Sequence, residues 1–279
     1  MTTTLAGPGM ALVVETLGDK LESLRARLAG ALITPESVVY DDARKVQNVT
    51  IDRKPLAIVA AANAYDVAAA VNFARDNAVP LVVRSGGHSL AGHSMIDGAL
   101  VVDLSSMRQI NIEGVTRVAR VGAGTRSGDL AGSANQHGLA LTTGDTASVG
   151  FGGLATGGGI GYMVRKYGLT IDSLLAAQVG TASGEIVTAS RESHPDLFWA
   201  IRGGGGNFGI ITEFTFQLAK VDEFLGGDLL LPATREVVRG YLEYSSTAPD
   251  ELSTLANIQL APPAPFVPEE WVGKPGLAI

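Results

Sequence analysis

Arg84-Ser85-Gly86-Gly87-His88-Ser89 puts a guanidinium, paired glycines and an imidazole within six residues. Paired glycines let the backbone come close to a ligand and turn its N–H groups inward. Successive inward N–H groups form a concave anion site suited to phosphate. Arg84 adds a charged donor beside it. His88, just past this nest, stands near whatever the phosphates carry. A lone histidine is usually a surface or core residue, but placement after Ser85-Gly86-Gly87 at a strand end favours a ligand-adjacent role.

The positioning elements are readable on both sides. Leu81, Val82 and Val83 form an apolar run into the nest, and Leu100 to Leu104 form another after Asp97-Gly98. This is the pattern of strand, glycine turn, loop and strand. Pro55 to Ala60 reads as a short buried strand. Asn63 can cap the next helix, with Asp66 in its first turn. Val67, Ala70, Val71 and Ala74 give that helix one apolar stripe. Residues 55–85 therefore read as a strand–helix–strand unit, and ligands of such units bind at strand C-terminal ends.

Two further segments are unusually rich in glycine. Gly144 to Gly161 holds eight glycines in eighteen residues, a density that regular elements do not favour on propensity alone. A flexible linker would lack the interleaved Val149, Phe151, Leu154, Ile160 and Tyr162. Gly203 to Gly209 follows a short helix begun by His194-Pro195-Asp196. It precedes a strand with Ile210, Thr212, Phe214, Phe216 and Leu218 on one face. Gly204-x-Gly206-x-x-Gly209 spells the dinucleotide fingerprint, but the order here is helix before and strand after, the reverse of what that fingerprint needs. Gly122-x-Gly124 lies between strand and helix, yet its third glycine, Gly128, falls one place late.

Elsewhere, Leu17, Leu21, Leu24 and Leu28 give a helical spacing over residues 17–32, expected to be peripheral and ended by Thr34-Pro35. Ile110 to Val121 alternates like a single strand. A helix over 127–136 ends near Gly138, and Leu139 to Thr142 is a short strand. Leu174 to Val179 and Glu185 to Thr188 make a hairpin. After Val221 glycine clustering stops; Asp228 to Leu231, a helix near Arg235 to Ser245 and Thr254 to Leu260 read as the start of a second domain. The proline-rich end closes no expected element, and the second domain is expected to be incomplete.

The totals narrow the function classes. Apolar residues make up 46% of the 279, enough for a sizeable core, and the net charge is −7. That balance argues against nucleic-acid binding, which needs a basic stripe. No apolar run reaches membrane-spanning length, and no secretory leader is recognisable at the N-terminus, so a cytoplasmic location is expected. The absence of cysteine removes disulfides, thiolate metal sites and cysteine nucleophiles together. Four dispersed histidines argue against a metal centre. Of these, His93 is expected in a loop, His137 in a helix's last turn and His194 at the surface. Asp145, Tyr162 and Tyr167 are titratable groups near the second glycine segment, but none is assigned as a catalytic base.

Taken together and in this order, the three glycine segments resemble the FAD-linked oxidases of the vanillyl-alcohol-oxidase type, and most closely the berberine-bridge-enzyme-like branch, over roughly residues 40–220. The resemblance implies an α+β chain. Residues 1–35 would be an N-terminal helical segment. Residues 36–221 would be a PCMH-type FAD-binding domain of two α/β subdomains, and 222–279 the beginning of a substrate domain.

It implies FAD contacts at Arg84, Ser85, Gly86, Gly87, His88, Ser89, Thr143, Gly144, Gly150, Gly153, Gly157, Gly209 and Ile211. His88 matches the histidine that bonds to the flavin 8α carbon. Some relatives make a second link through a cysteine; its place here is held by Thr146 or an immediate neighbour, so a single link through His88 is expected. Gly206 to Ile211 matches the stretch beside the adenine end. The implied activity is oxidation of an alcohol or amine C–H by hydride transfer to flavin, with oxygen as acceptor. A flavin dehydrogenase using another acceptor, or a flavin-binding fragment without turnover, fits the same motifs. The expected partners are a small-molecule substrate and oxygen, with no metal, nucleic acid or membrane.

Overall fold

The computed structural model describes residues 8–221 and 223–279, with side chains from Leu17 onward. Its first sheet is built from α1 (Pro8–Arg25), β1 (Ala31–Ile33), α2 (Tyr40–Ala43), β2 (Ala57–Ala60), α3 (Ala64–Asp76), β3 (Leu81–Arg84) and β4 (Leu100–Asp103). Strand order is β1-β2-β4-β3. β4 runs parallel to both β2 and β3 and lies between them, which sets Arg84 opposite Asp103. Asn63 caps α3, its side chain accepting from the N–H groups of Tyr65 and Asp66.

The N-terminal segment corrects the expectation of a peripheral helix. Leu17, Leu21 and Leu24 are buried in the main core with Phe73 of α3. The helix stops at Arg25, and residues 31–33 become an edge strand antiparallel to β2. Two features break the helical spacing. The Asp66 carboxylate accepts hydrogen bonds from the N–H groups of Ala29, Gly30 and Ala62 at 2.8–2.9 Å. At Gly30 a Cβ would stand 2.0 Å from the Ala60 carbonyl oxygen, so the chains can meet only there as glycine.

The second sheet contains β5 (Ile110–Glu113), β6 (Val118–Gly122), β8 (Leu174–Gly180), β9 (Ile186–Ser190) and β10 (Ile210–Gln217). Between them come α4 (Ser127–Asn135), β7 (Leu139–Ala140), α5 (Phe151–Thr156), α6 (Val164–Tyr167) and α7 (Pro195–Ala200), with β11 (Ala219–Lys220) pairing β7. The order β5-β6-β10-β8-β9 is antiparallel throughout. The alternating run 110–121 is two strands, because the chain turns over at residues 114–117 and Arg117 takes φ 58°. Alternation continues across a turn, so period alone does not locate the break. The hairpin of β8 and β9 and the inward face of β10 match expectation: Ile210, Thr212, Phe214, Phe216 and Leu218 are all buried.

The last part holds β12 (Leu230–Pro232), α8 (Arg235–Thr247), β13 (Asn257–Leu260) and β14 (Pro275–Ala278). Here too the structure differs from expectation: β14, in the proline-rich end, is the central strand of a three-stranded sheet. Proline tolerates the first position of a strand, which is where Pro275 stands. The whole is a mixed α+β fold. Among the described residues no helix is long and apolar enough to cross a membrane, and no cluster of His, Asp and Glu is placed to hold a metal.

Candidate cofactor site

The nest at the end of β3 is closed by the second glycine segment. A Cβ on Gly86 would stand 2.2 Å from the Gly150 nitrogen, and one on Gly150 would stand 2.1 Å from the Gly86 nitrogen. The two backbones touch with no room for side chains. Ser85 Oγ donates to the Ala123 carbonyl at 2.6 Å, and a Cβ on Gly152 would lie 2.7 Å from that same oxygen. The turn after β6 thus joins both segments to the second sheet, where Ala123 N–H donates to the Thr212 carbonyl at 3.0 Å. Residues 122–124, weighed above only as a fingerprint, are the junction of the site.

Residues 147–151 are held by the start of α4. Ser127 N–H donates to the Val149 carbonyl and Gly128 N–H to the Ala147 carbonyl, each at 3.0 Å, while Phe151 N–H donates to the Thr125 carbonyl at 2.8 Å. These bonds use amides that a helix start leaves unpaired. Residues 151–156 are helical despite their glycines. Burial explains this: the Phe151 ring is fully buried, edge-on to Phe216 with centroids 5.3 Å apart and to Phe214 at 6.2 Å. Ile160 and Tyr162, expected as further anchors, are exposed instead.

The third segment meets the second where Gly203 N–H donates to the Thr156 carbonyl at 3.0 Å. Gly209 takes φ 147°, and a Cβ there would lie 2.6 Å from Val179. Ile211 is buried in β10, past the point where pairing with β6 ends at Glu213 and Gly122. The three bends therefore converge.

Arg84 is anchored within the protein. Its guanidinium pairs with Asp103 at 2.5 Å and donates to the carbonyls of Ala43 and Lys45. It is a strut under the nest, and both charges are nearly buried. Gly87 takes φ 70°, and its carbonyl accepts from Gln47 N–H at 3.0 Å. His88 is half-buried, with Nε2 3.2 Å from Ser148 Oγ. Ser89 Oγ accepts from His93 N–H at 3.2 Å.

Thr143 and Gly144 line a cavity of about 240 Å³ with Leu139, Leu141, Tyr162 and Met163, and none of residues 84–89 reaches it. Gly157 is exposed at the end of α5. A larger cavity, about 440 Å³, lies among Asp228, Leu230, Phe266 and Trp271, away from every expected site residue. His194 starts α7, its Nδ1 3.1 Å from the Thr188 carbonyl oxygen. Asp145 bonds to Thr146 Oγ1, and Tyr167 OH donates to the Lys220 carbonyl. Ser148, Ala123 and Asp103 were not singled out by sequence; a serine or alanine between glycines carries no pattern of its own.

The cradle fits a long, flat, diphosphate-bearing cofactor. At Gly153, Gly205 and Gly206 nothing stands within 4 Å of where a Cβ would be, while Gly86 and Gly150 are closed on each other. Backbone is thus open at the first three glycines and packed tight at the last two. Fold and site define a flavoprotein's cofactor domain, and residues 55–190 match the FAD binding domain family.

Two curated relatives and a solved structure agree. (R)-6-hydroxynicotine oxidase of Paenarthrobacter nicotinovorans is 41% identical over 191 residues, 68% of this chain and 42% of that protein. The uncharacterized FAD-linked oxidoreductase YgaK of Bacillus subtilis is 38% identical over 204 residues, 71% and 45%. The crystal structure of 6-hydroxy-D-nicotine oxidase from Arthrobacter nicotinovorans superposes with a TM-score of 0.80 at 33% identity, covering 90% of this chain and 55% of that one. The chain belongs to the FAD-linked oxidases of the vanillyl-alcohol-oxidase and PCMH type, in the berberine-bridge-enzyme-like branch. FAD is the cofactor of this fold. The chain spans under half the length of the curated relatives it matches.

Proposed function

We propose that residues 36–221 hold FAD for an oxidoreductase that takes hydride from an alcohol or amine C–H and uses oxygen as acceptor, and that residues 222–279 begin its substrate domain. The flavin supplies the redox chemistry when bound; the protein supplies binding, orientation and tuning. The observation carrying this reading is the backbone contact of Gly86 with Gly150, which sets His88 beside the second glycine segment. The relatives named oxidases support the acceptor. In glucooligosaccharide oxidase from Acremonium strictum, 28% identical with a TM-score of 0.79, the FAD is 6-S-cysteinyl and 8α-N1-histidyl. With no cysteine in this chain, only the histidyl attachment is available here, and we assign it to His88.

The residues have distinct tasks. Backbone N–H groups of 86–89 and of Gly150, Gly152 and Gly153 bind the diphosphate, Arg84 and Asp103 fix the loop's base, and His88 tethers the ring system. Acid precipitation of the yellow protein tests the tether: colour stays with wild-type pellet and leaves that of His88→Ala. Flavin retained by the variant overturns it. A second reading is that these 279 residues hold flavin without turnover; peroxide release across alcohol, sugar and amine panels decides between them.

A further inference from the structure

We propose that the cavity beside β12 is a binding site for a small organic ammonium ion, with Trp271 and Phe266 as its aromatic walls and Asp228 as its counter-charge. The proposal is independent of the cofactor reading, because none of these residues belongs to the three glycine bends. The cavity measures about 440 Å³ and is lined by Asp228, Leu230, Phe266, Pro268 and Trp271. That is the size of a small-molecule site, and such sites join apolar and aromatic walls to a few polar groups.

The aromatic walls stand on a stiff loop. Residues 261–274 close on themselves where Ala261 N–H donates to the Lys274 carbonyl and Gly273 N–H to the Ala261 carbonyl, each at 2.9 Å. Between those ties, Pro262, Pro263, Pro265 and Pro268 restrict the backbone. Val267 N–H donates to the Ala264 carbonyl and Trp271 N–H to the Pro268 carbonyl, again at 2.9 Å. The loop is therefore ordered before a ligand arrives, and binding loses little conformational freedom. Phe266 nevertheless stays 68% exposed. A large ring held in water gains from any ligand that covers it.

Charge decides the ligand class. The Asp228 carboxylate has no ion-pair or hydrogen-bond partner among the described residues. Glu269 and Glu270 precede Trp271 in one short helical turn, and Lys274 is the single cation of residues 261–274. The excess of negative charge concentrates cations here. Aromatic faces attract a cation through their quadrupole, tryptophan most strongly. Within the lining, the carboxylate only accepts, and the Trp271 indole N–H is the one side-chain donor. A sugar needs donors and acceptors on several sides, and an anion meets Asp228 as a like charge. An ammonium group with an apolar body suits the carboxylate and the rings together.

The test titrates tetramethylammonium into the full chain by calorimetry, beside tert-butanol, which has a similar shape without the charge, and glucose. Tetramethylammonium is expected to bind at least tenfold more tightly than either. Asp228→Asn should weaken it about tenfold, the scale of one contact to a charged group. Trp271→Leu should weaken it about fivefold, the scale of a partly exposed cation–ring contact, and Trp271→Phe should keep most of the affinity. In Trp199→Phe, Trp271 is the only tryptophan left, and its fluorescence should follow the same binding curve. Circular dichroism checks that each variant is folded. Absence of binding at millimolar concentration overturns the proposal, as does equal or tighter binding of tert-butanol or glucose. Full affinity in folded Asp228→Asn and Trp271→Leu overturns it too, because the ion then sits elsewhere. Every readout is made on flavin-free chain, so failure of the cofactor reading leaves the outcome unchanged.

Discussion

Gly86 and Gly150 meet backbone to backbone, each occupying the space where the other's Cβ would stand. Everything proposed for the cofactor depends on that contact, and neither residue tolerates a methyl group.

Gly86→Ala and Gly150→Ala are expected to destabilise the fold by about 3 kcal/mol each, the upper range for overpacking. Gly153→Ala is expected to behave differently, because open space lies over it. Its melting temperature without FAD should match wild type, while FAD affinity falls at least tenfold. Thermal unfolding with and without FAD separates the two classes. A Gly153→Ala protein binding FAD normally would remove the cofactor from this side of the cradle.

Arg84 and Asp103 form a nearly buried pair at 2.5 Å across β3 and β4. Removing one partner strands the other charge, so Asp103→Ala should cost about 3–5 kcal/mol in urea unfolding. Arg84→Met combined with Asp103→Leu should cost clearly less than Asp103→Ala. Equal losses would show that the pair is not coupled.

Phe151 packs against Phe214 and Phe216 in the core. Phe151→Ala should cost about 3–5 kcal/mol and also weaken FAD binding, since the same residue anchors the glycine segment. Phe151→Leu should recover most of both. Loss of stability with FAD affinity intact would separate the anchor from the site.

Tyr40 OH donates to the Pro55 carbonyl at 2.6 Å, and burial pushes its phenol up from 10 to about 12. The folded state favours the neutral form. Its contribution is complete below pH 10 and is lost as pH rises from 10 towards 12. Urea midpoints should fall over that window, and Tyr40→Phe should flatten the fall at the cost of about 1 kcal/mol at neutral pH. An unchanged slope in the variant would assign the alkaline loss to other groups.

Much of this was legible in the sequence. The strand–helix–strand unit, the Asn63 cap, the inward face of β10 and the three glycine segments follow from period and turn chemistry. Three things did not. The N-terminal leucines read as peripheral because their partner, Phe73, is distant in sequence. The Arg84–Asp103 pair was not visible because Asp103 becomes its neighbour only when β4 inserts beside β3. Ser148 carried no signal at all until the folded chain brought it to His88. In each case the missing information was a long-range contact, which local periodicity does not encode.

β10 lies between β6 and β8, although it follows both in the chain. A nascent polypeptide leaves the ribosome N-terminus first, so the middle of this sheet arrives last. The turn at Ala123 gains its Thr212 partner only then. Translation must therefore pass residue 217 before the cradle is whole.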